Sequence, residues 1–350
     1  MRLLSFCALY LAVLLPGFAQ TPANAGPGLP KEPREIFAAA APFYDFTSPK
    51  LKPWHLKASY QLYDLKGKPT EQGTWEYWWA SPKAHRGSLM RGAMRTSEWR
   101  PRDGVTYKLS SGENPRYFER SIASVVLSPL PMFTMIGKEE NRPTFSEAAA
   151  ADPRQSCIEI QYPQTREGKF ESTFRGGRYC FDRESTALLE TYLDVFDTKY
   201  DRIEKVQGHY LARTADVWIS GIRAFSVTVD SVEQIDSSDA SFQPPSNAQI
   251  ENDQPSSFIG DVMLGKLIKK EAPKYPRSAK IVRQQGTVVL SAIIGKDGQL
   301  RDLEVLSSPS ENFAKAATKA VSRWEYEPYR LNGKPVEVET TIHVIFTLDN

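Results

Sequence analysis

The stretch AVSRWEYEPYRLNGKPVEVETTIHVIF (residues 320–346) decides how the C-terminal quarter of the chain folds. It begins inside an amphipathic helix. In ENFAKAATKAVSRW (residues 311–324), Phe313, Ala317, Ala320, Val321 and Trp324 recur at helical spacing and make one apolar stripe. Pro328 stops the helix from continuing, because it lacks an N–H and its ring clashes with the preceding turn. Asn332-Gly333 permits the positive φ of a tight turn. An alternating run follows. Val336, Val338, Ile342, Val344, Phe346 and Leu348 share one face, and Glu337, Glu339, Thr341 and His343 share the other. That is a strand with one buried side.

Upstream, YPRSAKIVRQQ (residues 275–285) predicts a helix with Pro276 in its favoured first turn. GTVVLSAIIGKDGQLRDLEVLSS (residues 286–308) predicts a hairpin turning on Gly295–Gly298. The order helix, strand, strand, helix, strand gives an α+β unit over residues 261–350. Its three-stranded antiparallel sheet carries two helices on one face.

These marks, in this order, resemble the C-terminal domain of TonB-type energy transducers. The resemblance covers residues 271–348: the Tyr-Pro opening, the Gly before the first strand, the GKDG hairpin, the AVSRWEYEP helix exit and the NGKPVEV turn. It implies that Trp324 and Tyr326 cover the end of a small core. It also implies that the last strand, or its neighbouring edge, receives a short peptide from an outer-membrane transporter by β-augmentation. The partner-binding strand is then Val336, Glu337, Val338, Glu339, Thr341 and His343. The rival readings are that this edge makes a dimer or is covered by the rest of the chain.

The chain also departs from that family. A force-transmitting TonB keeps a membrane helix with a functional His and a long Pro-rich spacer. Here the N-terminus has Arg2 and a 13-residue apolar run, Leu3 to Leu15, without a His. With small residues at Gly17–Ala19 and again at Ala23–Ala25, it reads as a secretory signal ending at residue 19 or 25. The chain is therefore expected to be exported, periplasmic or envelope-associated, the alternative being an uncleaved anchor in the inner membrane. The expected product carries the docking fold without the motor connection. Export leaves Cys157 and Cys180, an even number that predicts a disulfide between two neighbouring strands.

Residues 20–34 read as a disordered Pro- and Gly-rich lead-in. DSSDASFQPPSNAQIENDQPSSFIG (residues 236–260) has linker composition. Residues 35–235 between them read as mostly antiparallel β-structure, a half-barrel or a sandwich. In WHLKASYQLYD, Trp54, Leu56, Ala58, Tyr60 and Leu62 alternate with polar residues, and Trp75, Tyr77 and Trp79 share a face of GTWEYWWAS. YFERSIASVVL (residues 117–127) predicts a helix with Phe118 facing inward. The pattern faintly resembles the incomplete barrels of LolA- and LolB-type periplasmic lipoprotein carriers. That resemblance implies a hydrophobic lining of Trp54, Tyr60, Trp75, Tyr77, Trp79 and Phe118 for a lipid or peptide, whereas the residues alone read as plain core, the commoner role of aromatics at strand spacing.

The net charge of +2, from 44 basic and 42 acidic residues, gives no electrostatic footprint for nucleic acid. No phosphate loop, dinucleotide fingerprint, metal-protease motif or nucleophile elbow is present, and four scattered histidines do not suggest a metal site. DVFDTKYD (residues 194–201) lacks the spacing of a calcium loop and reads as a solvated turn. The expectation is a binding or adaptor protein of the cell envelope, not an enzyme, with no cofactor. Its alternative function is a carrier for a hydrophobic ligand.

Overall fold

The computed structural model describes residues 29–130, 143–161, 176–251, 267–331 and 333–348. The expected export signal, residues 20–28 of the expected lead-in and residues 252–260 of the expected linker lie outside these residues.

The first unit is one antiparallel sheet of thirteen strands. Strands β1 (Trp54–Tyr63), β2 (Pro69–Ser81), β3 (Ala84–Arg91), β4 (Met94–Arg100) and β5 (Tyr107–Ser111) run as a meander. A second meander takes β6 (Thr144–Ala148), β7 (Gln155–Gln161), β8 (Gly176–Asp182), β9 (Leu188–Leu193), β10 (Phe196–Val206), β11 (His209–Ile219) and β12 (Ile222–Gln234) back to the start, where β12 pairs with β1. The two-residue β13 (Gln249–Ile250) closes the β5 edge. The sheet is open, because its terminal strands β13 and β6 do not pair with each other. One sheet with helices on its face settles the choice left by the sequence against the sandwich.

Those helices are α1 (Pro33–Ala40) and α2 (Tyr117–Leu127). Alternation in β1 places Trp54, Leu56, Ala58, Tyr60 and Leu62 on the helix-bearing face, each almost fully buried. There they join Ile36, Phe37 and Ala40 of α1 and Phe118, Ile122 and Val126 of α2 in one apolar cluster. Helix α1 was not anticipated: PREIFAAA spans the boundary between the expected lead-in and the β-rich region, Pro33 pre-sets its first turn, and Ile36, Phe37 and Ala40 recur at helical spacing. Cys157 and Cys180 sit opposite each other on β7 and β8 and form a disulfide.

The segment read as a linker begins as part of this sheet. Residues 236–251 lie against the outer face, and Phe242 is buried with Trp78 and Trp99. Trp99 Nε1 donates to the Ser241 carbonyl at 3.1 Å, and the Arg86 guanidinium stacks over Trp78 and Trp99. Its polar composition hid one aromatic anchor.

In the C-terminal unit, a short β14 (Leu267–Lys269) precedes α3 (Arg277–Ile281), then β15 (Gly286–Ile294), β16 (Leu300–Ser307) and α4 (Glu311–Val321). Beyond α4 come β17 (Glu325–Tyr326), the hairpin β18 (Arg330–Leu331) and β19 (Lys334–Pro335), and finally β20 (Val338–Phe346). The main sheet has the order β16-β15-β20. Helix α4 starts where Ser310 accepts from the Phe313 N–H, and it buries Phe313, Ala317, Ala320 and Val321, as its stripe predicts. Helix α3 is shorter than its sequence period suggests. Pro276 precedes it, and Arg283 takes positive φ, so the chain turns out of the helix before Gly286. Trp324 and Tyr326 close the end of the core, with Trp324 Nε1 donating to the Glu271 carbonyl at 2.8 Å. The hairpin turn backs onto them. Gly298 has φ 79°, and a Cβ there would lie 1.9 Å from the Tyr326 carbonyl oxygen, so only Gly fits.

Candidate functional site

Strand β20 is an end strand. Its inner edge makes an unbroken nine-pair ladder with β15, from Val338 opposite Ile294 to Phe346 opposite Gly286. Among the described residues no strand pairs with its outer edge. The opposite end strand, β16, is a poorer template. Its ladder to β15 shifts register twice, Asp302 takes positive φ, and the bridge from Gln299 to Glu325 covers its start. A regular strand with unpaired N–H and C=O groups is the one that accepts an added strand.

The expected alternation holds along β20: Val338, Ile342, Val344 and Phe346 are buried in the core. Val336 is buried just before the strand, and Glu337 lies 3.6 Å from Arg301. The other face, read as solvent-facing, is covered over much of its length by the first unit. Arg120 of α2 donates Nε to Glu339 Oε1 at 2.8 Å, with a second short contact through Nη2. His343 Nε2 lies 2.8 Å from Asp194 Oδ2 in the β9–β10 turn. Thr341 is buried. From β16, Glu304 accepts the Tyr117 N–H at 2.9 Å, and Asp302 accepts from Asn114. Val289 and Leu306 join the apolar cluster of the first unit. A cavity of about 40 Å³ at this junction is lined by Leu62, Leu65, Phe118, Ile222 and Leu306. The rival reading in which the rest of the chain covers the strand therefore applies to its face, not to its edge.

Burial raises the Glu339 carboxyl above its ordinary range, and Arg120 opposes that shift. Burial likewise raises the Tyr117 phenol. Neither partner of the β20 face was visible in the sequence. Asp194 belonged to the acidic run read as a solvated turn, and Arg120 lay on the polar side of a helix read for its apolar side.

The six proposed lining residues come together. Trp54, Tyr60, Trp75, Trp79 and Phe118 are buried in the first cluster and Tyr77 packs against it. Trp54 stacks on Tyr77, and Phe118 stacks on Phe225. Helix α2 fills the face they line. The cavity beside it, bounded by Tyr44, Val126, Leu188 and Tyr200, is only about 10 Å³, room for roughly one water. The helix is held by a buried polar cluster. Glu119 accepts from Arg91 Nε at 2.9 Å, from the Tyr60 hydroxyl and from the Arg116 N–H at 2.7 Å. No group of His, Cys, Asp and Glu among the described residues is arranged to hold a metal. None of the described helices is long and apolar enough to cross a membrane.

Comparison with known proteins places the resemblance where the geometry does. Residues 271–348 match the family model described as Gram-negative bacterial TonB protein C-terminal. Protein TonB of Pseudomonas aeruginosa is 31% identical over 106 residues, which is 30% of this chain and 31% of that protein. Protein TonB of Escherichia coli is 32% identical over 69 residues, 19% of this chain and 27% of that protein. The chain thus spans under a third of the length of these curated relatives. The solution NMR structure of the Pseudomonas aeruginosa TonB CTD is 31% identical, covering 24% of this chain and 87% of its own, with a TM-score of 0.22. A crystal structure of a LolA superfamily protein from Nitrosomonas europaea is 9% identical, covering 61% of this chain and 98% of its own, with a TM-score of 0.37.

Proposed function

We propose that this chain is a binding or adaptor protein of the cell envelope whose C-terminal unit receives an extended peptide from an outer-membrane receptor along the outer edge of β20. The observation that carries the reading is the regular, unpaired edge of β20 inside the stretch that matches TonB C-terminal sequences. Backbone groups supply the contact, so the peptide adds a fourth strand to the sheet and its side chains choose the register. The test is an isotope-edited NMR titration of the full chain with receptor-derived peptides. Amides between Val336 and Leu348 are expected to shift. Replacing the exposed Ile345 with Ser should change affinity less than threefold, because main-chain bonds carry the affinity. Shifts confined to the thirteen-stranded sheet would sink the docking role.

A second reading makes the first unit a carrier of a lipid or other hydrophobic ligand. It is favoured by an aromatic-rich sheet face covered by two helices instead of a second sheet. With α2 seated there is no room for an acyl chain, so a ligand would have to take the place of Phe118, Ile122 and Val126. Organic extraction of the purified protein followed by mass spectrometry separates the readings. A stoichiometric lipid supports the carrier, and its absence leaves the adaptor.

A further inference from the structure

Near the end of the β20 ladder where Gly286 pairs with Phe346, the surface of α3 combines exposed positive charge with protruding aliphatic side chains. Ile281 and Val282 are 82% and 70% exposed, far more than such residues usually are in a folded protein. Around them Lys274, Arg277, Lys280 and Arg283 are all exposed. None of these four cations forms a salt bridge among the described residues, although the charge of Lys274 acts on Glu271. The nearby acids have closer partners: Glu271 pairs with Arg323 at 2.7 Å and Glu311 with Lys315 at 2.5 Å.

Helix geometry puts the two kinds of residue on one face. Ala279 is the residue of α3 that enters the core. At 3.6 residues per turn, Arg277 and Ile281 lie together on the opposite side, and Lys280 flanks them. Val282 and Arg283 follow where the chain leaves the helix. Neither cavity described above lies at this knob, and the aliphatic groups project outward with cations beside them along the helix and its exit. A projecting apolar tip flanked by cations fits a fluid surface that opens to admit the tip and is negatively charged at its rim. Those are the properties of an anionic lipid bilayer. A folded acidic protein would need a preformed cavity to receive Ile281 and Val282.

We infer that the α3 knob docks the C-terminal unit on anionic phospholipid, with Ile281 and Val282 entering the headgroup region and the four cations meeting lipid phosphates. The inference stands whether or not the outer edge of β20 binds a receptor. Flotation of the full chain with phosphatidylcholine vesicles and with phosphatidylcholine–phosphatidylglycerol vesicles tests it. Any binding through the apolar run Leu3 to Leu15 is common to all variants, so differences between variants report the knob. Wild type is expected to favour the anionic vesicles, and added salt should weaken that preference. Arg277→Gln with Lys280→Gln should weaken anionic binding about 30-fold, two cations each contributing about 1 kcal/mol near the surface. Ile281→Ser with Val282→Ser should weaken it at least tenfold, and both pairs should leave the circular dichroism unchanged because the residues are exposed. Equal binding to the two vesicle types, or variants that bind as wild type does, would overturn the inference. So would binding of acidic peptides at these residues without vesicle binding.

Discussion

The thirteen-stranded and the three-stranded sheets each bury one face under helices, but they secure those helices by different chemistry. Helix α4 lies on its sheet through an all-apolar stripe of Phe313, Ala317, Ala320 and Val321. Helix α2 brings a carboxylate into its core: the Glu119 side chain has no solvent exposure, and the Arg91 side chain opposite has 4%. An apolar stripe gives stability but tolerates sliding by small amounts. A buried ion pair contributes little net stability, because desolvation offsets the attraction, yet it penalises any arrangement that separates the charges. The difference suggests that α2 is held in one place rather than simply held. Tyr60 adds to this, since burial first and the Glu119 bond second push its phenol up, leaving it a neutral donor.

The largest expected effect breaks the comparison directly. Glu119→Ala leaves Arg91 Nε and the Tyr60 hydroxyl without their buried acceptor, with only the half-exposed Glu71 still 2.8 Å from the guanidinium, and should cost about 3 kcal/mol in urea unfolding of the first unit. Replacing both partners, Glu119→Leu with Arg91→Met, should recover most of that loss, because no charge is left unpaired. Phe313→Ala in the second unit should also cost about 3–5 kcal/mol, but through a cavity that no second substitution at a charged site can repair. If Glu119→Ala costs less than about 1 kcal/mol, the ion pair does not pin α2.

Acid should separate the two regions next. Burial, and then the charge on Arg100, lowers His85 of β3 to about 4. Burial also lowers His55 of β1. The small sheet holds no buried histidine among its described residues. Below the ordinary imidazole pKa of about 6.5 the unfolded chain takes up a proton that folded His85 refuses, so stability is lost as pH falls from about 6.5 towards 4. The full window corresponds to roughly 3 kcal/mol for His85, and the loss falls on the thirteen-stranded sheet. His85→Gln should flatten that slope in denaturant titrations at stepped pH, while unfolding of the small sheet keeps its own dependence.

How much of this was readable in advance differs between the regions for a physical reason. The small sheet folds from contacts close in sequence, so period and turn chemistry reveal it: the stripe in α4, the GKDG turn and the alternation of β20 each appear where they were read. Strands of the large sheet were also legible from alternation, as in β1, and α2 from its spacing of Phe118, Ile122 and Val126. Their pairing was not, because β12 meets β1 across some 170 residues and nothing local encodes that closure. Phe242 was missed because one aromatic in a polar run carries no period. For the candidate site, the strand was legible and its surroundings were not. Alternation says that Glu339 and His343 leave the core, but not that Arg120 and Asp194 await them.

The smallest expected effect tests whether the two regions act on each other. Arg120 and Glu339 join α2 to the strand proposed for docking, with side-chain exposures of 18% and 9%. Burial raises the Glu339 pKa and Arg120 restrains it, so the pair offsets a desolvation penalty that either group alone would meet in full. Single variants should therefore disturb the junction more than the double variant does. Arg120→Ala leaves a buried carboxylate that must take up a proton or separate the two sheets, and Glu339→Ala leaves the guanidinium in the same position. In the double variant neither charge is stranded. A double-mutant cycle should give a coupling of about 0.5–2 kcal/mol. The reporter is amide exchange at Thr340–Ile345, where local opening of the junction appears even if global unfolding does not change. Arg120→Ala should speed that exchange several-fold, and adding Glu339→Ala should bring it partly back. Peptide affinity at the β20 edge should follow the same order, because a strand that loses its packed face holds its edge less firmly. Additive single effects would instead mean that α2 and β20 touch without influencing each other, leaving the aromatic-lined sheet and the docking strand as two separate devices on one chain.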